Sequence, residues 1–308
     1  MIAVDLGQSG ARIRCGNQDF QFDRAKLAGE NVIDSLRAIF STLEPLTAEV
    51  ASLSLTGLNG QIHDPSPFGK LCEEFFGASS IAVIDDGLAG FIGALQGMDG
   101  ITLSIGGGVV AVGGKGHNFS HVDGLGSTFG DEGGGFWLGR HGITRALATR
   151  EGRDNQLDLL EQFANEVDEF GALKQKDGPG AASLAIRAAK TLLASADEGI
   201  PAAVAIRNEG ARLLANTIRA AWIGVGGLLN ESPSVVITGG LAKNIGYSEK
   251  ISGYLLDIIP RAVFAPARGD HLDGAVWIGN NMKTDRPPLL MWSQSTINHS
   301  THIQDRVK

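Results

Sequence analysis

Three short apolar runs in this sequence each end in small residues. Ile2–Leu6 runs into Gly7-Gln8-Ser9-Gly10, Leu103–Ile105 into Gly106-Gly107-Gly108, and Val235–Thr238 into Gly239-Gly240. In open α/β sheets, ligands bind beyond the carboxyl ends of strands. Glycine at such an end lets backbone N–H groups come close to an anion, and those groups hold phosphate without lysine. A fourth run, Ile81–Ile84, ends in Asp85-Asp86. A carboxylate there, opening a helix beside a phosphate turn, suits a general base that takes a proton from an attacking hydroxyl. The same place suits a helix N-cap. The pair is read with Asp85 as the cap and Asp86 as the base. Finally, the segment from Gly124 to Gly139 sets Asp131 and Glu132 among seven glycines, just before Phe136-Trp137. Carboxylates on a glycine-framed loop can accept paired hydrogen bonds from vicinal hydroxyls, and they also complement the dipole of a following helix.

Two look-alike motifs fail on context. Gly106-x-Gly108-x-x-Ala111 matches a loose dinucleotide fingerprint, which must open a helix. Here β-branched Val109-Val110-Ala111-Val112 reads as a strand closed by Gly113-Gly114. Gly114-Lys115 resembles the end of a Walker A loop, but Val109 stands where its first glycine belongs and Gly116 where Ser or Thr would hold Mg²⁺.

The elements that must position these residues follow from apolar spacing. Met1–Leu6, Ala11–Cys15 and Asn17–Phe22 read as strands, Asn31–Leu43 as a helix, Val50–Leu55 as a strand and Pro65–Phe76 as a loop and helix. Ile81–Ile84 is a strand, followed by a helix over Gly87–Gln96. Ile101–Ile105 and Val109–Val112 then repeat the strand, glycine turn, strand opening, a weak internal repeat about one domain on. A glycine-rich loop over Val122–Gly135 follows, then helices over Phe136–Thr149, Leu157–Phe163, Ala181–Ala196 and Ala202–Leu229. Ser234–Thr238 is a strand, and helices cover Asn244–Ile259 and Asp270–Met282. Two related α/β halves facing each other are expected.

Composition narrows the partners. Glycine makes up 43 of 308 residues, about twice the usual ~7%, without a collagen period. Hydrophobic content of 43% excludes a disordered chain. A net charge of −8 argues against nucleic acid or an anionic membrane as partner. The N-terminus shows no signal peptide pattern, and no apolar stretch reaches spanning length. Cys15 and Cys72 have neither metal nor disulfide spacing and read as reduced thiols of a cytoplasmic protein.

The order of these motifs resembles the BadF/BadG/BcrA/BcrD ATPase group, and within it the N-acetylglucosamine kinases of the sugar kinase/Hsp70/actin superfamily. VDLGQSGARI is similar to the family's phosphate-1 turn and DDGLAGF to its N-D-A-type catalytic strand end. IGGGVVAVGG resembles the phosphate-2 turn, GLGSTFGDEGGGFWLGR the G-W-G…GDEGSGYWIG element, and VVITGGLAKN the adenosine motif. The resemblance covers roughly residues 1–282. It implies two actin-like (ribonuclease H-like) lobes, 1–100 and 101–283, around a central ATP and sugar cleft, with 284–308 as a polar tail. It implies ATP and Mg²⁺ as cofactors. Gly7, Ser9 and Gly10 would approach the phosphates, with Asp5 near Mg²⁺ through water. Gly106, Gly107 and Gly108 would form the opposing clamp, and Gly239 and Gly240 would lie against adenosine. Asp86 would be the base. Asn31 and Asp131 would hold sugar hydroxyls, and Glu132 would support Asp131 or touch the sugar. The implied reaction is ATP-dependent phosphorylation of an amino sugar, N-acetylglucosamine to its 6-phosphate, by a homodimer.

This chain also departs from the family. Gly106-Gly107-Gly108-Val109 lacks the hydroxyls and the amide of the usual phosphate-2 turn, Leu125 replaces a tryptophan, and Gln8 replaces a glycine. These departures leave open glucosamine, N-acetylmannosamine or glucose as substrate, and a non-catalytic regulator of the same fold. The related dehydratase-activating ATPases need cysteines for an Fe–S cluster, and neither Cys15 nor Cys72 lies in a suitable turn.

Overall fold

Strand β1 (Ile2–Leu6) is buried along its whole length, which is why its sequence is an apolar run broken only by Asp5. Strands with both faces covered read this way. The computed structural model describes residues 1–7, 10–23, 31–58, 64–281 and 290–294. After β1 come β2 (Ala11–Cys15), β3 (Gln18–Phe22), α1 (Val32–Phe40), β4 (Val50–Leu55), α2 (Ser66–Phe76), β5 (Ser80–Asp85) and α3 (Asp86–Leu95). Then follow β6 (Gly100–Ile105), β7 (Val109–Lys115), β8 (Asn118–Asp123), α4 (Gly135–Arg150), α5 (Leu157–Gln162), α6 (Ala164–Ala172), α7 (Pro179–Asp197) and α8 (Pro201–Gly224). The chain continues through β9 (Ser234–Thr238), a 3₁₀ turn, α9 (Ile245–Ile258), β10 (Val263–Phe264), α10 (His271–Asn281) and β11 (Leu290–Gln294).

The strands form two sheets, ordered β11-β5-β4-β1-β2-β3 and β10-β9-β6-β7-β8. In each, three antiparallel strands are extended by two parallel ones: β1 pairs antiparallel with β2 and parallel with β4, as β6 does with β7 and β9. The opening motif is thus repeated as a whole five-strand unit, the ribonuclease H-like arrangement expected twice over.

Several details differ from the sequence reading. Strand β7 runs through Gly113 and Gly114 to Lys115 instead of closing at them. A Cβ at Gly113 would strike the Ala221 carbonyl of α8. Glycine here admits a helix against the sheet rather than making a turn. Helix α8 ends at Gly224, ahead of the expected Leu229, because Gly226 takes φ 79° and the chain folds back to bury Trp222. Strands β3 and β8 correspond in the repeat, but β8 was not anticipated, and its last two residues fall in the loop expected over Val122–Gly135. Helix α6, rich in acids, was not anticipated. Within the segment read as a polar tail, Leu290–Gln294 pairs antiparallel with β5; the rest of that segment lies outside the described residues.

Separate apolar cores lie under the two sheets. A third cluster joins Ala82 and Ile84 of β5, Leu88, Phe91 and Ile92 of α3, Val112 of β7, Val236 of β9 and Ile278 of α10. Helix α3 is therefore packed by both lobes. Helix α10 follows the second sheet in sequence but crosses α3 and lies against β1 and β4. The first lobe thus takes elements from both ends of the described chain. The crossing is close because Gly93 and Gly274 face it: a Cβ on Gly93 would collide with the Asp270 carbonyl, and one on Gly274 with the Ala89 carbonyl. Gly93→Ala is expected to cost about 1–3 kcal/mol by overpacking, read as a lower urea midpoint. An unchanged midpoint would mean that the helices can part at no cost.

Candidate active site

Helix α3 begins directly at the end of β5, and this junction sets two carboxylates side by side. Asp85 is the N-cap: its Oδ1 accepts a hydrogen bond from the Gly87 N–H at 2.9 Å, and the residue is 1% exposed. Asp86 is the first helical residue and faces a cavity of about 770 Å³ between the lobes. Burial, then the negative charge of Asp85, pushes its carboxyl up to about 6, against opposing help from His271 and from hydrogen bonds with Thr56 and the Gly87 backbone. A carboxylate with this poise loses little driving force when it takes a proton near neutral pH. Asp85 thus caps the helix, and both carboxylates line the cavity.

The opposite wall is the turn Gly106–Gly108. The carbonyls of Gly106 and Gly107 accept from the backbone N–H groups of Gly135 and Phe136, both at 2.9 Å. Those donors belong to the first turn of α4, which has no side-chain cap, so the glycine turn supplies the acceptors that the helix end lacks. A trans peptide holds its C=O and N–H on opposite sides, so the N–H groups of Gly107 and Gly108 face away from α4.

Asp131 locks this turn to the acidic loop. Its Oδ1 accepts from the Val109 N–H at 2.9 Å, and its own N–H donates to Asp123 Oδ1 at 2.8 Å. Both aspartates sit at positive φ, 68° for Asp123 and 59° for Asp131, a conformation Asp tolerates better than most residues. A side chain at Gly108 would lie 2.6 Å from Asp131 Oδ2, so glycine is required there for the carboxylate to fit. Burial raises the Asp131 carboxyl, partly offset by the Val109 bond.

Asp5, at the end of β1, is 9% exposed. Its Oδ2 accepts from Arg12 Nη2 at 2.7 Å and its Oδ1 from the Ser54 hydroxyl at 3.0 Å. Arg12 also donates to Asp270 at the start of α10. Burial of the guanidinium is more than offset by these two carboxylates, which hold it charged. Among the described residues no group of three or more acidic, His or Cys side chains could hold a metal ion. With a further, longer bond from Arg12 Nε at 3.3 Å, Asp5 keeps lone-pair capacity beyond these three bonds, so it fits a Mg²⁺ held through water, with most ligands coming from a nucleotide's phosphates.

Asp5, Gly7, Gly10, Asp85, Asp86, Gly106, Gly107, Gly108 and Asp131 thus line one cavity. Other expected residues lie apart from it. Asn31 caps α1, accepting from the Ile33 N–H at 2.9 Å, and is exposed. Glu132 is exposed beside Asp131. Gly239, at φ 97°, and Gly240 are exposed at the end of β9, the strand that lies beside β6. Ser9 lies outside the described residues. Arg12, Thr56, His121 and His271 also line the cavity and were missed. Thr56 follows β4 as Gly7 follows β1, so strand-end position could have found it; His121 lies on the unanticipated β8, and nothing in sequence marked His271.

Two ribonuclease H-like lobes closing on a glycine-walled, carboxylate-bearing cleft define the actin-like class of fold. The chain belongs to the BadF/BadG/BcrA/BcrD ATPase family, whose model matches residues 2–274. Solved structures share the fold at low identity. A candidate N-acetylglucosamine kinase from Chromobacterium violaceum is 22% identical with TM-score 0.66, over 89% of this chain and 97% of that one. Another, from Porphyromonas gingivalis, is 15% identical with TM-score 0.65, over 92% and 99%. A ROK family glucokinase from Streptomyces griseus, in complex with glucose and AMPPNP, is 17% identical with TM-score 0.55, over 91% and 98%. No curated protein sequence matches the chain.

The raised Asp86 carboxyl has a consequence for stability. A group whose folded pKa lies above its unfolded value favours folding below the unfolded value, and that contribution is lost as pH rises through the folded value. Here the loss falls between about pH 4 and pH 6. Asp86→Asn carries no such charge and should be more stable than the wild type at pH 8, by about 2–3 kcal/mol, with the difference closing below pH 4. Thermal melts at the two pH values test this; an equal gap at both would remove burial as the cause.

Proposed function

We propose that the protein is an ATP- and Mg²⁺-dependent sugar kinase that phosphorylates the 6-hydroxyl of N-acetylglucosamine, with Asp86 as general base. The supporting observation is Asp86, poised near pH 6 in a cleft whose facing wall is the Gly106–Gly108 turn. The sugar hydroxyl gives its proton to Asp86 as its oxygen attacks the γ-phosphorus of ATP, and the bond to the β,γ-bridging oxygen breaks to release ADP. Phosphoryl transfer needs positioning and electrostatic stabilisation more than covalent help. Backbone N–H groups of Gly107 and Gly108 would supply these to the phosphates, which would account for nucleotide binding by a chain of charge −8. When bound with the nucleotide, Mg²⁺ neutralises phosphate charge, and Asp5 would hold it through water. Asp131, with Oδ1 on the Val109 N–H, has Oδ2 left for a sugar hydroxyl. Gly239 and Gly240, exposed at the end of the strand beside β6, would lie against adenosine.

One observation favours a second reading. Pairing of Asp5 with Arg12 weakens its hold on a cation, as in a regulator that binds sugar and ATP without turnover. Coupled ADP release with N-acetylglucosamine, glucosamine, N-acetylmannosamine and glucose separates the two. N-acetylglucosamine is expected to exceed the others at least tenfold; no turnover with any sugar would favour the regulator. Asp86→Asn should bind ATP and sugar but lose about 10²–10⁴-fold in kcat, and near-wild-type turnover would sink the assignment. The acidic limb of the wild-type kcat/KM profile should rise near pH 6.

A further inference from the structure

Tyr247, on the first turn of α9, is fully buried. Its hydroxyl donates to the Gly133 carbonyl of the acidic loop at 2.7 Å. The two groups meet beside α8, where glycines clear the way. A Cβ on Gly210 of α8 would lie 2.7 Å from the Tyr247 hydroxyl. One on Gly133, at φ 83°, would strike the Gly210 carbonyl and Leu214. Burial pushes the phenol well up, so the hydroxyl stays a donor. Asn244 fixes the backbone below it: its Oδ1 accepts from the Tyr247 N–H at 2.7 Å, and its amide donates to Asp197 at the end of α7 at 2.8 Å.

The peptide that joins Gly133 to Gly134 therefore carries a bond on each side. Its C=O takes the Tyr247 hydroxyl, and its N–H donates to the Asp131 carbonyl at 3.0 Å. A peptide between two glycines meets little steric resistance to turning over, so its partners must set its orientation. Gly133 is buried, and a buried carbonyl without a donor is costly. Turning the peptide to find another donor would break its bond to Asp131. We propose that Tyr247 latches the Gly133–Gly134 peptide and thereby sets the Asp131 carboxylate in the cleft. Tyr247 is a positioning residue that acts through Asp131 and touches no substrate. The inference rests on the kinase reading only for calling that substrate a sugar.

Hydrogen exchange of the full chain without ligand, read by NMR, follows this peptide directly. Tyr247→Phe deletes one hydroxyl and keeps the ring. In it the Gly134 amide is expected to exchange about tenfold faster or more. The Asp131 and Val109 amides, which bond Asp123 and Asp131, should quicken to a smaller degree, and slow amides of β1 and β4 in the other lobe should keep their rates. An unchanged Gly134 rate, or one common factor at every slow amide, overturns the proposal. Gly210→Ala, whose methyl would crowd the hydroxyl, should give the same local pattern, and this arm decides if Tyr247→Phe fails to fold. If the sugar panel shows turnover, Tyr247→Phe should raise KM for the sugar about tenfold and leave KM for ATP unchanged. Equal increases for both, or a fall in kcat alone, would mark a general loss of structure and overturn the positioning role. Absence of turnover with every sugar counts against the kinase reading alone, since the exchange rates stand without it.

Discussion

The cleft is organised around two adjacent carboxylates, one out of water and one half-buried. Burying one ionised acid requires donors or a counter-charge, and burying two neighbours requires that their surroundings divide them. The β5–α3 junction does this by geometry. The cap position turns Asp85 into the backbone of its own helix and toward β8, while the first helical position turns Asp86 into the cleft. Thr56 from β4 and His271 from α10 reach the second carboxylate. The elements that pack around α3 are therefore also the elements that hold its acids apart.

The facing wall follows a different logic. The first lobe brings charge to the cleft, and the second brings mainly backbone. The Gly106–Gly108 turn is fixed by α4 through its carbonyls and by Asp131 through the Val109 N–H. Neither contact needs a side chain on the turn. This is why the turn can lack hydroxyls and still be held firmly, and why Gly108 in particular leaves no room for one.

Much of this was legible in sequence because the signals were local. Apolar runs gave the central strands, and small or acidic residues at their ends gave the glycine turns and the Asp85-Asp86 pair, while Asp5 came from the family resemblance. The split between Asp85 and Asp86 followed from capping preference. What escaped depended on partners distant in sequence. Strand β8 is half polar and was hidden by the glycine loop after it, although the repeat demanded a counterpart of β3. Gly113 and Gly114 read as an ending because nothing local shows that α8 and α3 press on them. Arg12 looked like an ordinary strand residue, since its second acceptor, Asp270, lies 258 positions away. Asn31 illustrates the converse, because the family resemblance gave it a sugar-binding role while its local geometry makes it a helix cap.

The return of α10 to the first sheet has a mechanical meaning. The chain passes from one lobe to the other after α3 and comes back before α10, so two covalent links join the lobes. A body tied at one point can swivel in any direction. Tied at two, it can turn only about the line through both, as a door turns on a pair of hinges. A rotation of one lobe against the other would then be restricted to one arc. Because Arg12 grips Asp270 at the second tie, the start of that arc is anchored to the same strand pair that carries Asp5.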